Sequence, residues 1–358
     1  MRDPLILAQR HLAKQRRIAA AAMASALREW GLLDANDLRA SWSSVGPRLV
    51  TVLTASQLAA ASGANEYVDS VAAAEGADAA DAVVNPVAFA GVAADGRSLD
   101  TLMLRPLFTT FEAIKAGSTV RQALGAGRGL LATIMRSEVA DAGRGAVGVG
   151  IAGKRTIQGY VRVVQPPACA RCVILAGKEY GWNRGFQRHP RCDCIHLPTT
   201  LVARNQHRGG LNADGFTPTT RLGSSPRGFI DPQAYFNGLS RTEQDRVFTA
   251  DGARAIREGA DMSQIVNARR GMYTADAYGR RVAATREGAT RRGAFYRLER
   301  ARAEARTGTR FARDRIELRQ GLPRFELRSP RLLPEEIYRL AEDREDAIRL
   351  LRRFGYLT

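Results

Sequence analysis

The sequence predicts a mainly α-helical protein with a small α+β unit, multi-segment and loop-rich. Three observations lead to this fold class. Apolar residues recur at helical spacing through most of the first 140 residues. One segment, 156–165, is instead rich in β-branched residues and ends at two prolines, as strands often do. All four cysteines follow that strand within 26 residues. Because 358 residues is long for one domain, we expect two or three units.

The amino-terminal region is predicted to be helical. Leu5, Leu12 and Leu27 belong to an apolar series at helical intervals, with charged residues between its members. Basic residues before the apolar run 19–27 indicate an amphipathic helix rather than a signal peptide. No stretch approaches the roughly 20 apolar residues that a membrane span needs, so no membrane partner is expected. Composition shifts predict three regions: 1–150, 151–279 and 280–358.

Proline and glycine suggest where these helices begin and end. We expect a break at Ser43–Pro47, a mobile linker over 72–84 and a helix beginning at Pro106. A further helix is predicted over Val120–Glu138. The G-x-G-x-x-G pattern at 143–148 follows a helix and precedes a strand, the reverse of a nucleotide loop, so it predicts a flexible connection.

The middle region contains the predicted strand, the cysteines and an exposed loop over 204–228. Two short helices are predicted after the loop, over 231–239 and 241–250. The second helix follows a capping-box pattern formed by Ser240 and Glu243. The histidines His11 and His207 stand alone in polar contexts and are expected to be solvated.

The charge balance is strongly basic, at +18, and 50 of the 54 basic residues are arginine. Residues 280–331 hold 16 arginines against six acids, which points to a polyanion such as DNA or an acidic protein surface. Two alternatives stay open. A GC-rich genome raises arginine with alanine and glycine, and the segment could be a solvated arm, partly disordered or helical. Pro334 predicts a final helix with Glu335 and Glu336 in its first turn.

The cysteine spacing predicts a zinc site. The pattern is Cys169-x2-Cys172-x16-His189-Pro-Arg-Cys192-Asp-Cys194, two ligand pairs separated by the interval that zinc knuckles use. In an extended chain, residues two apart face the same side, so Cys192 and Cys194 could both bind. His196 is a further candidate. Cys169, Cys172 and His189 are the three strongest candidates. The fourth ligand would be Cys192 or Cys194, with a slight preference for Cys194.

This zinc is predicted to be structural. A catalytic zinc keeps an open position and a nearby general base, whereas protein ligands here are in surplus. The sequence contains neither H-x-E nor H-E-x-x-H, and we therefore expect no enzyme activity. The metal would hold together a loop-rich α+β zinc-knuckle unit in which Tyr180, Trp182 and Phe186 form a small core. Two disulfides, or buried thiols without metal, are the alternatives.

Several motifs carry a family resemblance. They are Cys169-Ala-Arg-Cys172 with the following Val-Ile-Leu-Ala-Gly-Lys, and His189-Pro-Arg-Cys192-Asp-Cys194. The chain resembles the phage Mu F-like (MuF-like) minor capsid proteins in this region, best over 160–198. Tyr235-Phe-Asn-Gly-Leu-Ser-Arg and Leu332-Leu-Pro-Glu-Glu-Ile-Tyr look like versions from tailed actinobacteriophages.

The resemblance implies a minor head morphogenesis protein that acts in head assembly or DNA delivery. Its partners would be the phage portal protein and the major capsid or scaffolding protein, with packaged DNA meeting the arginine-rich region. It would lie in the virion head, and in the host cytoplasm during assembly. Two rival functions stay open, a zinc-dependent DNA-processing enzyme (nuclease) and a standalone DNA-binding module.

Overall fold

The computed structural model describes residues 3–77, 82–183, 192, 194–200, 230–291 and 293–357. The chain divides into two compact units, the first comprising Met1–Pro166 and Leu175–Ile230 and the second Pro167–Ile174 and Asp231–Thr358. It is mainly helical, as predicted, and contains two small sheets where one α+β unit was expected. None of the described helices is long and apolar enough to cross a membrane. These two compact units are not a test of the three regions expected from composition. Those regions stay a prediction.

The helices of the first unit confirm the helical prediction for the amino-terminal region. They are α1 (Pro4–Trp30), α2 (Leu38–Ser62), α3 (Ala64–Ala74), α4 (Leu99–Lys115) and α5 (Val120–Ala152). Side chains cap all of them except α3 at their starts. The Asp3 carboxylate accepts from the backbone N–H of Leu5 at 2.8 Å, and Thr119 forms a reciprocal capping box with Gln122.

The predicted break at Ser43–Pro47 is wrong, because α2 continues through Pro47. A proline inside a helix removes one N–H donor, and the carbonyl that it would have bonded needs another partner. Pro47 lies on the exposed side of α2, where water can serve that carbonyl. On the opposite side Val45 and Leu49 are fully buried, and this packing outweighs the loss of one hydrogen bond.

The glycine pattern at 143–148 is also helical, so the predicted flexible connection is wrong and α5 runs on to Ala152. Glycine costs helix stability but lets neighbouring elements approach closely. A Cβ at Gly143 would lie 2.5 Å from Oε1 of Gln15, and one at Gly150 would lie 3.3 Å from a methyl of Val68. These glycines therefore face partner helices rather than a turn.

Other boundaries differ from the prediction by a few residues. Helix α4 begins at Leu99, after the cap Ser98, and Pro106 lies inside it. Helix α3 extends to Ala74, into the predicted linker, and residues 78–81 of that linker lie outside the described residues.

Two apolar clusters form the core of the first unit. One includes Leu12, Val68 and Ile151, and the other includes Leu49 and Leu131. Helix α5 contributes to both clusters, so it is the common element of the unit.

A three-stranded antiparallel sheet completes the first unit. Its strands are β1 (Gly159–Val163), β2 (Glu179–Gly181) and β3 (Ile195–Thr199), in the order β2-β1-β3. Strand β1 lies within the predicted segment 156–165. Arg162 of β1 is opposite His196 of β3. Strand β3 begins directly after the second cysteine pair in the chain.

The second unit contains shorter helices and a second sheet. The helices are α6 (Ala170–Val173), α7 (Pro232–Gly238), α8 (Arg241–Phe248), α9 (Ala250–Arg257), α10 (Met262–Ala268), α11 (Ala294–Thr307), α12 (Arg315–Arg319), α13 (Pro334–Leu340) and α14 (Arg344–Arg353). The two short helices predicted after residue 230 are present, and Ser240 with Glu243 forms the expected capping box. The exposed loop predicted over 204–228 lies outside the described residues.

The sheet of the second unit is antiparallel, in the order β4-β5-β6. Its strands are β4 (Met272–Ala277), β5 (Arg280–Thr285) and β6 (Arg331–Leu332). Tyr278 and Gly279 join β4 to β5 and both have positive φ, as a two-residue hairpin turn requires. The arginine-rich segment thus begins with a strand whose Val282 and Ala284 are buried, which a solvated arm would not show.

Arg331 is an arginine buried in this unit. Its guanidinium donates to the backbone carbonyls of Phe354 at 2.8 Å, Glu287 at 2.9 Å and Gly355 at 3.2 Å. The Tyr356 ring lies 4.2 Å from its central carbon. Arg331 therefore joins β6 to the carboxyl-terminal segment. The helix predicted at Pro334 is present but ends at Leu340, and α14 begins after a new cap, Asp343.

Candidate metal centre

The second cysteine pair lies immediately before β3, in the first unit. Cys192 and Cys194 are both buried, and their Sγ atoms are 3.1 Å apart. This confirms the prediction that side chains two residues apart face the same side here. Two thiolates bound tetrahedrally to one zinc lie about 3.8 Å apart, given Zn–S distances of about 2.3 Å. A small rotation of either side chain would give that spacing, so the pair fits a shared metal.

Two buried arginines surround this pair. Arg162 of β1 is 1% exposed, and one of its Nη atoms lies 3.6 Å from Sγ of Cys192. Arg144 of α5 donates to the backbone carbonyls of Cys192 and Cys194, the second at 3.3 Å, and pairs with Asp141 at 2.7 Å. A buried guanidinium needs a negatively charged neighbour, and Asp141 is that neighbour for Arg144. The guanidinium of Arg162 beside Cys192 would stabilise the negative charge that a metal-binding thiolate carries.

The sequence did not point to these arginines as site residues. Arg162 interrupts an otherwise apolar, β-branched strand, and a charge at such a position was the signal available for it. Arg144 lies within the glycine pattern that predicts a flexible connection. That prediction gives no reason to expect Arg144 on the buried face of a helix, where the structure places it. Both act on the cysteines as supporting groups that orient possible ligands.

His196, the further candidate ligand, lies within β3 and is 5% exposed. Its ring centroid is 4.1 Å from that of Tyr160, and its backbone carbonyl accepts from the Tyr67 hydroxyl at 2.8 Å. These contacts describe a buried histidine whose ring packs on Tyr160, next to the cysteine pair in sequence.

The first cysteine pair lies in the second unit. Cys169 is exposed and caps α6, where its Sγ accepts from the backbone N–H of Cys172 at 3.4 Å. Cys172 is buried. Donation of N–H groups to sulfur lowers the cost of thiolate charge, which suits a C-x2-C metal turn. Ala168 exchanges hydrogen bonds with the Tyr235 hydroxyl, which fixes the start of this turn against α7.

The remaining predicted ligand, His189, lies outside the described residues, as does Phe186. Within the described part of the chain, no group of three or more His, Cys, Asp and Glu side chains is arranged to hold a metal. The complete ligand set thus stays a prediction. The predicted small core is only partly correct. Tyr180 stacks on Tyr160 with ring centroids 5.2 Å apart, whereas Trp182 is 48% exposed.

One predicted solvated residue is instead buried. His11 is 7% exposed and stacks on Tyr67, with ring centroids 4.0 Å apart and planes 9° apart. Burial, reinforced by the charge of Lys14, lowers the pKa of His11 to about 4. The prediction for His11 was wrong because this position of α1 faces the first apolar cluster. His207 lies outside the described residues.

The fold and the cysteine pairs define a mainly helical protein of two units, each with a small antiparallel sheet. A family model described as VG15 protein matches residues 6–214, more than half of the chain. The chain belongs to the VG15 family, a family of viral gene products, and is a phage protein. The matched region spans α1 to β3 and includes all four cysteines and His189. Comparisons with curated proteins and with solved structures found no match.

Proposed function

We propose that this chain is a minor head protein of a tailed phage, bound to the portal and the inner capsid surface. The observation that carries this proposal is membership in a phage family over the region that contains the F-like cysteine motif. A gene product of that family suits a component of the virion. The proposed partners are the portal protein and the major capsid or scaffolding protein. The proposed locations are the virion head and, during assembly, the host cytoplasm.

We propose a structural zinc bound by Cys169, Cys172, His189 and either Cys194 or Cys192. Two local features support it: the convergent sulfurs of Cys192 and Cys194 beside a buried guanidinium, and the N–H donated to Cys169 Sγ. The zinc would supply folding free energy to a segment with few apolar residues of its own. Protein ligands fill its coordination shell, which leaves no position for a reacting water and argues against an enzyme.

The zinc proposal is tested by metal analysis of the full chain, purified under reducing conditions. We expect about one zinc per chain, released together with a fall in melting temperature when a chelator is added. His189→Gln should lower both the zinc content and the melting temperature. His207→Gln is the matched control, because it removes a histidine outside the motif and should leave both unchanged. Metal-free protein that melts alike with and without chelator would exclude the site.

The same preparation separates a structural role from a nuclease. A nuclease predicts that Cys169→Ser abolishes metal-dependent DNA cleavage while the protein stays folded. A structural zinc predicts that the substitution destabilises the fold and that the wild type cleaves no DNA. Circular dichroism and a plasmid-nicking assay on the same samples give both readings.

The virion assignment is tested on purified phage particles. Mass spectrometry should find the protein at few copies per particle, and it should stay with the portal after tails are removed. A tagged copy should also retain the portal protein from infected cells. Abundance in infected cells combined with absence from particles would overturn the assignment.

A further inference from the structure

The second unit contains a strongly basic cleft of about 1000 Å³. Its walls come from α11, from α14 and from the segment 324–329. Six arginines line it: Arg302, Arg306, Arg324, Arg328, Arg349 and Arg353. Only two carboxylates, those of Glu299 and Glu326, share the lining.

Most of this positive charge is not neutralised within the described part of the chain. Arg302 pairs with Glu299 at 2.8 Å, and Arg349 pairs with Asp346. For Arg306, Arg324, Arg328 and Arg353, no described carboxylate lies within 4 Å. Like charges around one cleft repel each other, and a bound polyanion removes that cost.

The cleft has a fixed apolar floor. The rings of Phe311 and Phe325 pack edge to face with centroids 5.4 Å apart, and Phe325 is buried. The Tyr296 hydroxyl donates to the backbone carbonyl of Phe325 at 2.7 Å. The N–H of Phe311 donates to the Glu304 carboxylate at 3.0 Å. This packing fixes the backbone that carries Arg324 beside α11, so less backbone has to be ordered when a ligand binds.

We propose that this cleft binds the phosphodiester backbone of DNA without reading its sequence. Arginine offers a planar set of donors that matches phosphate oxygens, and all six basic residues of the cleft are arginine. DNA carries about one negative charge per 1.7 Å of helix axis, so a charge-rich cleft gains by displacing its counterions. The inference builds on the proposed function, because a protein at the inner head surface lies beside packaged DNA.

The test measures DNA affinity of the full chain by fluorescence anisotropy, with a labelled 20-base-pair duplex over a series of salt concentrations. The cleft variant combines Arg306→Gln, Arg324→Gln and Arg328→Gln. The matched control combines Arg105→Gln, Arg121→Gln and Arg128→Gln, which removes the same charge from exposed positions of α4 and α5. Melting curves on both variants check that the fold is retained.

We expect the cleft variant to bind at least tenfold more weakly near 0.1 M salt. Its slope of log affinity against log salt should fall by about 2 to 3, since each lost phosphate contact removes about 0.9. The control should lose less than threefold. Equal losses in both variants, or no binding by the wild type, would overturn the proposal.

Two further arms identify the ligand. A single strand of equal length should bind through the same arginines with a smaller salt slope, because its charge density is lower. Polyglutamate at equal charge should compete poorly, and competition as strong as that of DNA would overturn the choice of phosphate in favour of an acidic protein surface. The zinc content and virion incorporation of the cleft variant are read separately, so a failure here leaves the proposed function standing.

Discussion

Gly127 offers a sharp test of how the helices of the first unit pack. It is buried on α5, and a Cβ there would lie 2.3 Å from Oγ1 of Thr110, 2.7 Å from the carbonyl oxygen of Pro106 and 2.7 Å from the Trp30 ring. Two of these neighbours belong to α4, and one is backbone, so the clash cannot be relieved by a side-chain rotation alone. Gly127→Ala must separate α5 from α4.

The expected magnitude follows from two opposing terms. Overpacking a tight contact costs about 1–3 kcal/mol, whereas alanine in place of helical glycine gains about 1 kcal/mol. The two terms sum to a net loss of about 0–2 kcal/mol in the free energy of unfolding, and we expect the upper half of that range, about 1–2 kcal/mol, because one clash is with backbone. Gly125 and Gly129 are exposed on the same helix and have no atom within 4 Å of an added Cβ. Alanine at either position should therefore stabilise by about 0.5–1 kcal/mol.

Urea unfolding followed by tryptophan fluorescence measures the difference. All three tryptophans, Trp30, Trp42 and Trp182, belong to the first unit, so the signal reports that unit. Gly127→Ala should unfold at lower urea than Gly125→Ala by an amount corresponding to about 1.5–3 kcal/mol. Equal midpoints for the two variants would refute the close packing of α4 on α5.

Three more predictions concern buried or partly buried polar groups. The pKa of His11 is lowered from 6.5 to about 4 in the folded protein, so between these two pH values only the unfolded chain binds a proton. The stability of the fold therefore decreases as the pH is lowered through that window. From pH 7 to pH 5 the wild type should lose about 2 kcal/mol more than His11→Phe, measured by urea unfolding; parallel losses would contradict the buried neutral histidine. Arg331→Met should cost about 3 kcal/mol or more, since it leaves buried carbonyls without a donor, while Arg328→Met, on the surface, should cost under about 0.5 kcal/mol by thermal unfolding. Tyr338→Phe removes a hydroxyl that donates to Glu258 at 2.5 Å and should cost about 1–2 kcal/mol in the same assay; an unchanged melting temperature would show that the bond contributes nothing.

Helical spacing predicted the amino-terminal region well because its apolar faces are also its buried faces. Leu5 and Leu12, chosen from the sequence for their spacing, are only 9% and 1% exposed. The boundaries failed where proline or glycine was given too much weight. Pro47 and Gly143 carry local costs of about 3 and 1 kcal/mol, and burial of whole helix faces exceeds both.

In the candidate site, the convergence of Cys192 and Cys194 was predicted, the full ligand set stays a prediction, and the surrounding arginines were missed. Alternation along an extended chain brought Cys192 and Cys194 together, a local rule that needs no tertiary information. The buried Arg144 and Arg162 come from 48 and 30 residues earlier in the chain than Cys192. Their proximity depends on the packing of α5 and β1, which residue spacing alone does not encode.

Arg144 lies on α5 between Val139, which packs in the second apolar cluster, and Ile151, which packs in the first. The same side chain bonds the carbonyls of Cys192 and Cys194. A ligand that binds the first unit and shifts α5 would also shift Arg144, and so change the affinity of these thiols for an ion. By thermodynamic reciprocity, an ion bound to the thiols would change the affinity of the first unit for that ligand by the same factor. If the proposed zinc is bound there, its removal by a chelator would then change a contact made many residues away, without a direct bond between the two.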